Sequence, residues 1–449
     1  MADTPSDTIA AIATPGGRGG VVIVRISGPA VQGVAARLIR HIPPPRMATL
    51  TPIVDAEGQL LDNGLALFFP SPHSFTGEDV LELHAHGGPV LLDMILQQAI
   101  GVGGVRLARP GEFTERAFLN GKMDLLQAEA VADLIESASA DAVRGAAKSL
   151  HGEFSRQVEA LRLKTVQLRV YVEGAIDFPD EEIDFLSEGN VAKRLQDLVT
   201  DLLAILANAR QGVLLRDGMR VVIVGQPNVG KSSLINRLAG EELAIVSELP
   251  GTTRDIIQQQ ILIHGMPVHV VDTAGIRRSR DAIEREGIKR AQDQMQLADR
   301  LLLVVNAAEG ITQEDQALLQ RVPVDLPVTV IFNKIDLAGL APSVGQEKVY
   351  LSARDGRGID GLRQHLAHCM GLYSGANGGV FSARQRHLNA LQRMEAVLCK
   401  AAQQFDRDSA GELLADDLQQ AQRILNEITG EYTSDDLLGE IFSQFCIGK

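Results

Sequence analysis

Apolar residues follow three spacings along this chain. From residue 1 to about 122, short runs rich in β-branched residues (Val21 to Ile26, Leu65 to Phe69, Val80 to His84) alternate with turn clusters such as TPGGRGG and FPSPHSFTGED. Strands between loops have this pattern, and it predicts an α+β domain. From about Asp124 the period becomes helical. LLQAEAVADLIESASADAVRGAAKSL opens it, and long amphipathic runs continue to Leu215, broken at DFPDEEIDF. Between 216 and 371, strand-like and helical runs alternate, which predicts a mostly parallel sheet. A glycine-rich linker at 372–379 follows, and Phe381 to Lys449 is helical again. The economical arrangement is one helical domain, built from 123–215 plus 380–449, with the α/β domain of 216–371 inserted in it. No internal repeat is visible.

At 449 residues the chain has room for about three domains, each able to bury a core. Its net charge of −14 disfavours holding nucleic acid on a broad basic face of its own. Cys369, Cys399 and Cys446 form no metal or disulfide pattern, which suits a reducing cytosol. The N-terminus lacks a basic-then-apolar signal and no apolar run approaches about 18 residues, so a soluble, cytoplasmic chain with no membrane partner is expected.

The chemistry concentrates in RVVIVGQPNVGKSSLINRLAG, Arg220 to Gly240. Here Gly225, Gly230, Lys231 and Ser232 spell G-x-x-x-x-G-K-S between a strand and a helix, the context that motif requires. Its glycines let backbone N–H groups wrap a polyphosphate, Lys231 adds charge at the last phosphates, and Ser232 offers a hydroxyl to magnesium. Asp272-Thr273-Ala274-Gly275 follows a second strand, with Asp272 placed to hold magnesium through water and Gly275 to approach the terminal phosphate. Asn333-Lys334-Ile335-Asp336 ends a third strand. The Asp336 carboxylate matches the ring N–H and exocyclic amine of guanine, a pair that adenine lacks. Tyr350-Leu351-Ser352-Ala353-Arg354 has the form of the loop covering guanine, and Pro250 to Asp255 (PGTTRD) that of a mobile switch. Five motifs, with PGTTRD lying between the first two in the chain, stand in the order and spacing that point to GTP with Mg2+.

Ras-like GTPases place a water-orienting glutamine directly after DTAG. This chain has Ile276 there, so hydrolysis needs another group. Glu284 and Glu286 are both candidates within Arg277 to Arg290, most of whose charges read as a solvated helix face. Asn228 in the phosphate loop is either a ligand for a monovalent cation or a turn former. His84 and His86 have no third ligand in view, which favours a strand-end turn over a metal pair.

With its flanks included, the chain resembles the MnmE (TrmE) family of bacterial tRNA modification GTPases over essentially its whole length. The resemblance is carried by TPGGRGGVVIVRISG, SFTGEDVLELHAHGG, RPGEFTERAFLNGKMDLLQAEAVADLI, the GTP motifs and the terminal Cys446-Ile447-Gly448-Lys449. GTPases of the Era and Der type, the alternative as regulatory factors in ribosome assembly without folate chemistry, lack that tail. The family's fold implies an α+β N-terminal folate-binding and dimerisation domain, an α-helical central domain and an inserted Ras-like α/β P-loop GTPase domain. The resemblance further implies a homodimer working with MnmG (GidA), a flavoprotein carrying FAD, in a heterotetramer or larger. Together they would add a (carboxymethyl)aminomethyl-type group to carbon five of the wobble uridine of certain tRNAs, using a tetrahydrofolate derivative.

Site residues carry over by motif. Folate falls on Arg25, Glu82 and Lys122, with Lys449 close by. GTP contacts fall on Asn228, Val229, Gly230, Lys231, Ser232 and Ser233, and on Ser247, Glu248, Leu249, Pro250, Gly251, Thr252 and Thr253. Further contacts are Asp272, Thr273, Ala274, Gly275, Asn333, Lys334, Asp336, Ser352, Ala353 and Arg354. Magnesium falls on Ser232 and Thr253, and K+ on Asn228, Ser247, Leu249 and Thr252, in place of an arginine finger. Glu284 aligns with the family's water-orienting glutamate, with Lys231 the second catalytic group. Pro250 departs from the small residue usual before GTTRD, and a proline's fixed φ stiffens that loop. Cys446 has either a covalent role towards the uridine or one in recognition or packing.

Overall fold

The alternating runs of the first third form β1 (Thr8–Ile12), β2 (Gly19–Ser27), β3 (Thr49–Val54), β4 (Leu60–Phe69), β5 (Val80–Gly87) and β6 (Val105–Leu107). In the computed structural model they make one six-stranded sheet ordered β3-β4-β5-β2-β1-β6, antiparallel except where β6 joins β1. The structure describes residues 7–15, 17–137, 139–177, 191–240, 258–264, 266–272, 295–296, 298–371, 380–408, 410–430, 435–443, 445 and 448.

Because side chains alternate across a strand, each face of this sheet has its own composition. One face buries Val24, Ile26, Ala66, Phe68, Leu81 and Leu83 with apolar residues of the helices Val31–Leu38 and Pro89–Ile100. On the other face Leu50 stands opposite Leu65, and these are 75% and 39% exposed. Register then sets His84 beside Leu65, and Glu82 between Leu67 and Arg25.

The chain divides into two compact units, Met1–Ile135 with Ser149–Leu203 and Asn389–Lys449, and Glu136–Lys148 with Ala204–Leu388. In the first unit the helices Glu153–Asp177 and Gly411–Thr429 pack along each other, and Arg169 Nη1 donates to Gln422 Oε1 at 2.8 Å. The helix Asp435–Ser443 and Phe445 set Ile441, Phe442 and Phe445 against Leu125, Ala128 and Ala132 of the helix Leu125–Glu136. That docking carries the end of the chain back to the N-terminal sheet.

The second unit contains β7 (Met219–Val224), β8 (Gln258–Ile263), β9 (Met266–Asp272), β10 (Arg300–Asn306), β11 (Val328–Asn333), β12 (Ser343–Val344) and β13 (Lys348–Tyr350). The sheet order is β12-β13-β11-β10-β7-β9-β8, with five parallel strands between antiparallel edges β12 and β8. Both faces are buried. Leu302 and Val304 enter one core, and Leu301, Leu303 and Val305 the other. This two-sided burial explains why these strands read as continuous apolar runs.

The helix Val191–Asp217 is long and apolar enough, by length and composition, to cross a membrane, and half of its most apolar stretch is buried inside the protein, as in a core helix. Asp201 and Arg210 interrupt it, so no unbroken apolar run marks it in the sequence.

Candidate nucleotide site and N-terminal polar cluster

Strand β7 stops at Gly225, whose φ is 145° and where a Cβ would lie 2.2 Å from Val304 O. The loop passes through Asn228 at φ 63° and Gly230 at φ 99°, then enters the helix Lys231–Ala239. The first N–H groups of that helix have no intrahelical partner, so the loop and helix start form an anion cradle. Lys231 Nζ donates to the carbonyls of Gly225 and Gln226, each at 2.8 Å, and so spans the loop. Ser232 and Ser233 lie in the first turn of the helix.

Two strands away in the sheet, β11 delivers Asn333 to the same end. Its Nδ2 donates to Val229 O at 2.7 Å, and its Oδ1 accepts from Ala353 N at 2.9 Å. One buried side chain thus ties the phosphate loop to the loop holding Ser352, Ala353 and Arg354. Lys334 takes a left-handed φ of 65° and turns the chain into Ile335–Ala338, which carries Asp336. Ser352 Oγ donates to Asp336 Oδ1 at 2.8 Å, orienting a carboxylate whose remaining lone pairs still accept. Arg237 Nη2 donates to Arg354 O at 2.8 Å, and the Phe332 and Tyr350 rings stack at 4.5 Å. Asp272 closes β9 in register with Ile223, and its side chain lies outside the described residues. So do Ser247, Glu248, Leu249, Pro250, Gly251, Thr252, Thr253, Thr273, Ala274, Gly275 and Glu284.

Gly230 is where this assembly is least tolerant. A Cβ there would sit 2.3 Å from Asn333 Nδ2 at a φ that side chains avoid. The strain of about 1–3 kcal/mol, with the loss of an Asn333 hydrogen bond, makes Gly230→Ala about 10²-fold weaker for fluorescent GDP. An unchanged affinity would mean that the Asn333 clamp does not hold the phosphate loop in shape.

On the N-terminal sheet, Arg25 Nε donates to Glu82 Oε1 at 2.9 Å across β2 and β5. His84 Nε2 stands 3.4 Å from Glu82 Oε2. The guanidinium lies 5.8 Å from the Phe75 ring centre and 5.7 Å from that of Phe113, within cation–π range. Its Nη1 donates to Gly448 O at 3.4 Å. Lys122 Nζ donates to Pro72 O at 2.9 Å, in the loop that also carries Phe75. Arg25 and Glu82 are therefore in contact, whereas Lys122 is held by the neighbouring loop. Cys446 and Lys449 lie outside the described residues, although Phe445 and Gly448 are within them. His86 Nδ1 pairs with Asp62 Oδ1 at 2.8 Å, and among the described residues no three side chains gather as metal ligands.

Sequence reasoning did not find the aromatic rings beside Arg25, though both lie in motifs it quoted, SFTGED and RPGEFTER. It also missed the ion network under them. Arg116, 1% exposed, reaches Asp7, Glu78 and Glu112, and Arg106 pairs with Asp7 and Glu112.

Phosphate cradle, lysine and guanine-directed carboxylate on one parallel sheet define a P-loop GTPase, an enzyme that hydrolyses GTP. Residues 8–122 match the N-terminus of the GTP-binding protein TrmE, and residues 125–446 match the MnmE helical domain. The tRNA modification GTPase MnmE of Stutzerimonas stutzeri is 56% identical over 452 residues, covering 99% of each chain. That of Hydrogenovibrio crunogenus is 55% identical over 448 residues, again 99% of each. The counterpart in Nitrosococcus oceani is 55% identical over 449 residues, 99% of this chain and 97% of that one. The chain belongs to the tRNA modification GTPase MnmE family.

Proposed function

We propose that this GTPase acts in tRNA modification by coupling potassium-assisted GTP hydrolysis to folate-dependent chemistry on carbon five of the wobble uridine. The observation that carries the folate half is the Arg25–Glu82 pair, flanked by Phe75 and Phe113 and touched by the Gly448 carbonyl. These groups fit a folate. A carboxylate accepts from the pterin's amino and ring N–H groups, aromatic rings suit its flat heterocycle, and cations suit its glutamate tail. A bound tetrahydrofolate derivative supplies a one-carbon unit. Arg25 and Glu82 bind and orient it, Lys122 and Lys449 attract the tail, and Cys446 serves as the covalent or recognition contact.

In the GTPase site, Ser232 and Thr253 hold Mg2+, which offsets phosphate charge. Asn228, Ser247, Leu249 and Thr252 hold K+. Glu284 orients the attacking water, and Lys231 stabilises charge developing on the transferred group. The exposed pair Leu50 and Leu65 on one sheet face supports a homodimer through the N-terminal domains. The acidic chain, at −14, supports reliance on the flavoprotein MnmG for much of the tRNA contact. The setting is cytoplasmic, with the tRNA.

Two experiments test this. Titrating the full chain with 5-formyltetrahydrofolate is expected to give saturable binding that Glu82→Ala weakens at least about tenfold. No binding by the unaltered chain would sink the folate reading. Steady-state GTP hydrolysis is expected to be faster in potassium chloride than in sodium chloride at matched ionic strength, despite Pro250. Equal rates would withdraw the potassium ligands.

A further inference from the structure

At the opposite end of the GTPase sheet from the phosphate loop, β10 begins with Arg300 and β11 carries Thr329 near its start. Arg300 Nη1 donates to Thr329 Oγ1 at 2.9 Å, and the same oxygen lies 3.0 Å from His365 Nε2. A hydroxyl that accepts from arginine can still give its own proton to an unprotonated Nε2 or accept from a protonated one, so it bridges Arg300 and His365 in either tautomer. Burial presses the His365 pKa below its ordinary 6.5, with Arg300 and His368 adding to the effect, so the imidazole stays neutral. Arg300 is thus positioned by a neutral hydrogen-bond chain. The acid next to it, Asp299, faces elsewhere and accepts from Arg220 N at 2.8 Å.

The guanidinium opens on a cavity of about 670 Å³, lined also by Gln346, Gln364, His365, His368 and Cys369. Among the described residues no carboxylate lines it, in a chain whose net charge is −14. The volume suits a small organic molecule and exceeds what a bare ion needs. Arginine's planar fork and the amide donors of two glutamines match the oxygens of a phosphate group. Metal binding is disfavoured, since no ligand group of three forms among the described residues. We propose that this cavity is a second ligand site, which binds a small phosphate ester through Arg300, Gln346 and Gln364. Register sets Arg300 opposite Val221 and Leu303 opposite Val224, so the site lies roughly 13 Å along β10 from the start of the phosphate loop, at about 3.3 Å per strand residue.

The test is calorimetric titration of the full chain, saturated with GDP to fill the nucleotide site, with ribose 5-phosphate and separately with inorganic phosphate. The expected result is one saturable equivalent for the ester and weaker binding for the smaller ion. Arg300→Gln weakens the ester about tenfold or more. Gln364→Glu places a carboxylate in the lining from an exposed helix position without touching the Thr329 chain, and abolishes binding. Both variants keep their GDP affinity, and Gln364→Glu carries the test if Arg300→Gln folds poorly. Absence of ester binding by the unaltered chain overturns the site, as does binding that Gln364→Glu leaves unchanged.

Discussion

Asp336→Asn is expected to lose GTP by about 10⁴-fold and to gain xanthosine nucleotides in its place. The Asp336 carboxylate is aimed by Ser352 Oγ, which donates to its Oδ1 at 2.8 Å. An asparagine oxygen accepts that bond equally well, so the loop keeps its shape. The change falls on the base. Guanine presents two donors, its ring N–H and exocyclic amine, and a carboxylate accepts both. An amide offers one acceptor and one N–H₂, which sets donor against donor at the exocyclic amine and leaves both unpaired. Xanthine carries a carbonyl there and restores the pair. Displacement of a fluorescent nucleotide by GDP and by xanthosine diphosphate measures the exchange. Tight GTP binding by the variant would show that Asp336 does not read the base.

How far such a site can be read from sequence depends on how locally its geometry is determined. Gly225 to Ser232 and Asn333 to Asp336 are legible because the turn, the strand before and the helix after are all neighbours in the chain. The Asn333 clamp is not. It joins residues 104 apart on one side and 20 apart on the other, and only strand order brings them together. The parallel sheet was legible from alternating elements, whereas the antiparallel edges β8 and β12 were not, since a two-residue strand such as Ser343–Val344 has no period to read. Arg25 and Glu82 were assignable only by resemblance. Their contact depends on β2–β5 register, and a shift of one residue would turn them to opposite faces. Phe75 and Phe113 approach Arg25 from a loop and a helix, and no spacing in the sequence encodes that.

The same reasoning makes Arg116 the residue whose loss should most damage the N-terminal sheet. Its guanidinium is 1% exposed and meets Asp7 Oδ1 at 2.9 Å, Glu78 Oε1 at 3.2 Å and Glu112 Oε1 at 3.2 Å. Arg116→Met keeps the volume and removes the charge. Arg106 still serves Asp7 and Glu112, but Glu78, whose side chain is 10% exposed, loses its cation and keeps the Ser27 hydroxyl, so a loss of about 3 kcal/mol is expected. The sign with pH can be worked out at Glu112. Burial alone would raise its carboxyl, but the Arg106 hydrogen bond, the Arg109 N–H and the charges of Arg106 and Arg116 prevail and hold it at about 2, against an ordinary 4.5. A depressed carboxylate stabilises the fold above its unfolded value, so this contribution is complete above pH 4.5 and is lost as pH falls towards 2. That interval corresponds to about 3 kcal/mol. Amide exchange separates a local effect from a global one. In Arg116→Met the peptides of β1 and β2 should exchange about 10²-fold faster or more, while those of the phosphate loop keep their rates. Equal acceleration throughout would mean that the network supports the whole chain. Because Phe113 lies on the same helix as Arg116, the variant should also weaken any ligand held at Arg25. Below pH 4.5 the unaltered protein should progressively show the same weakening.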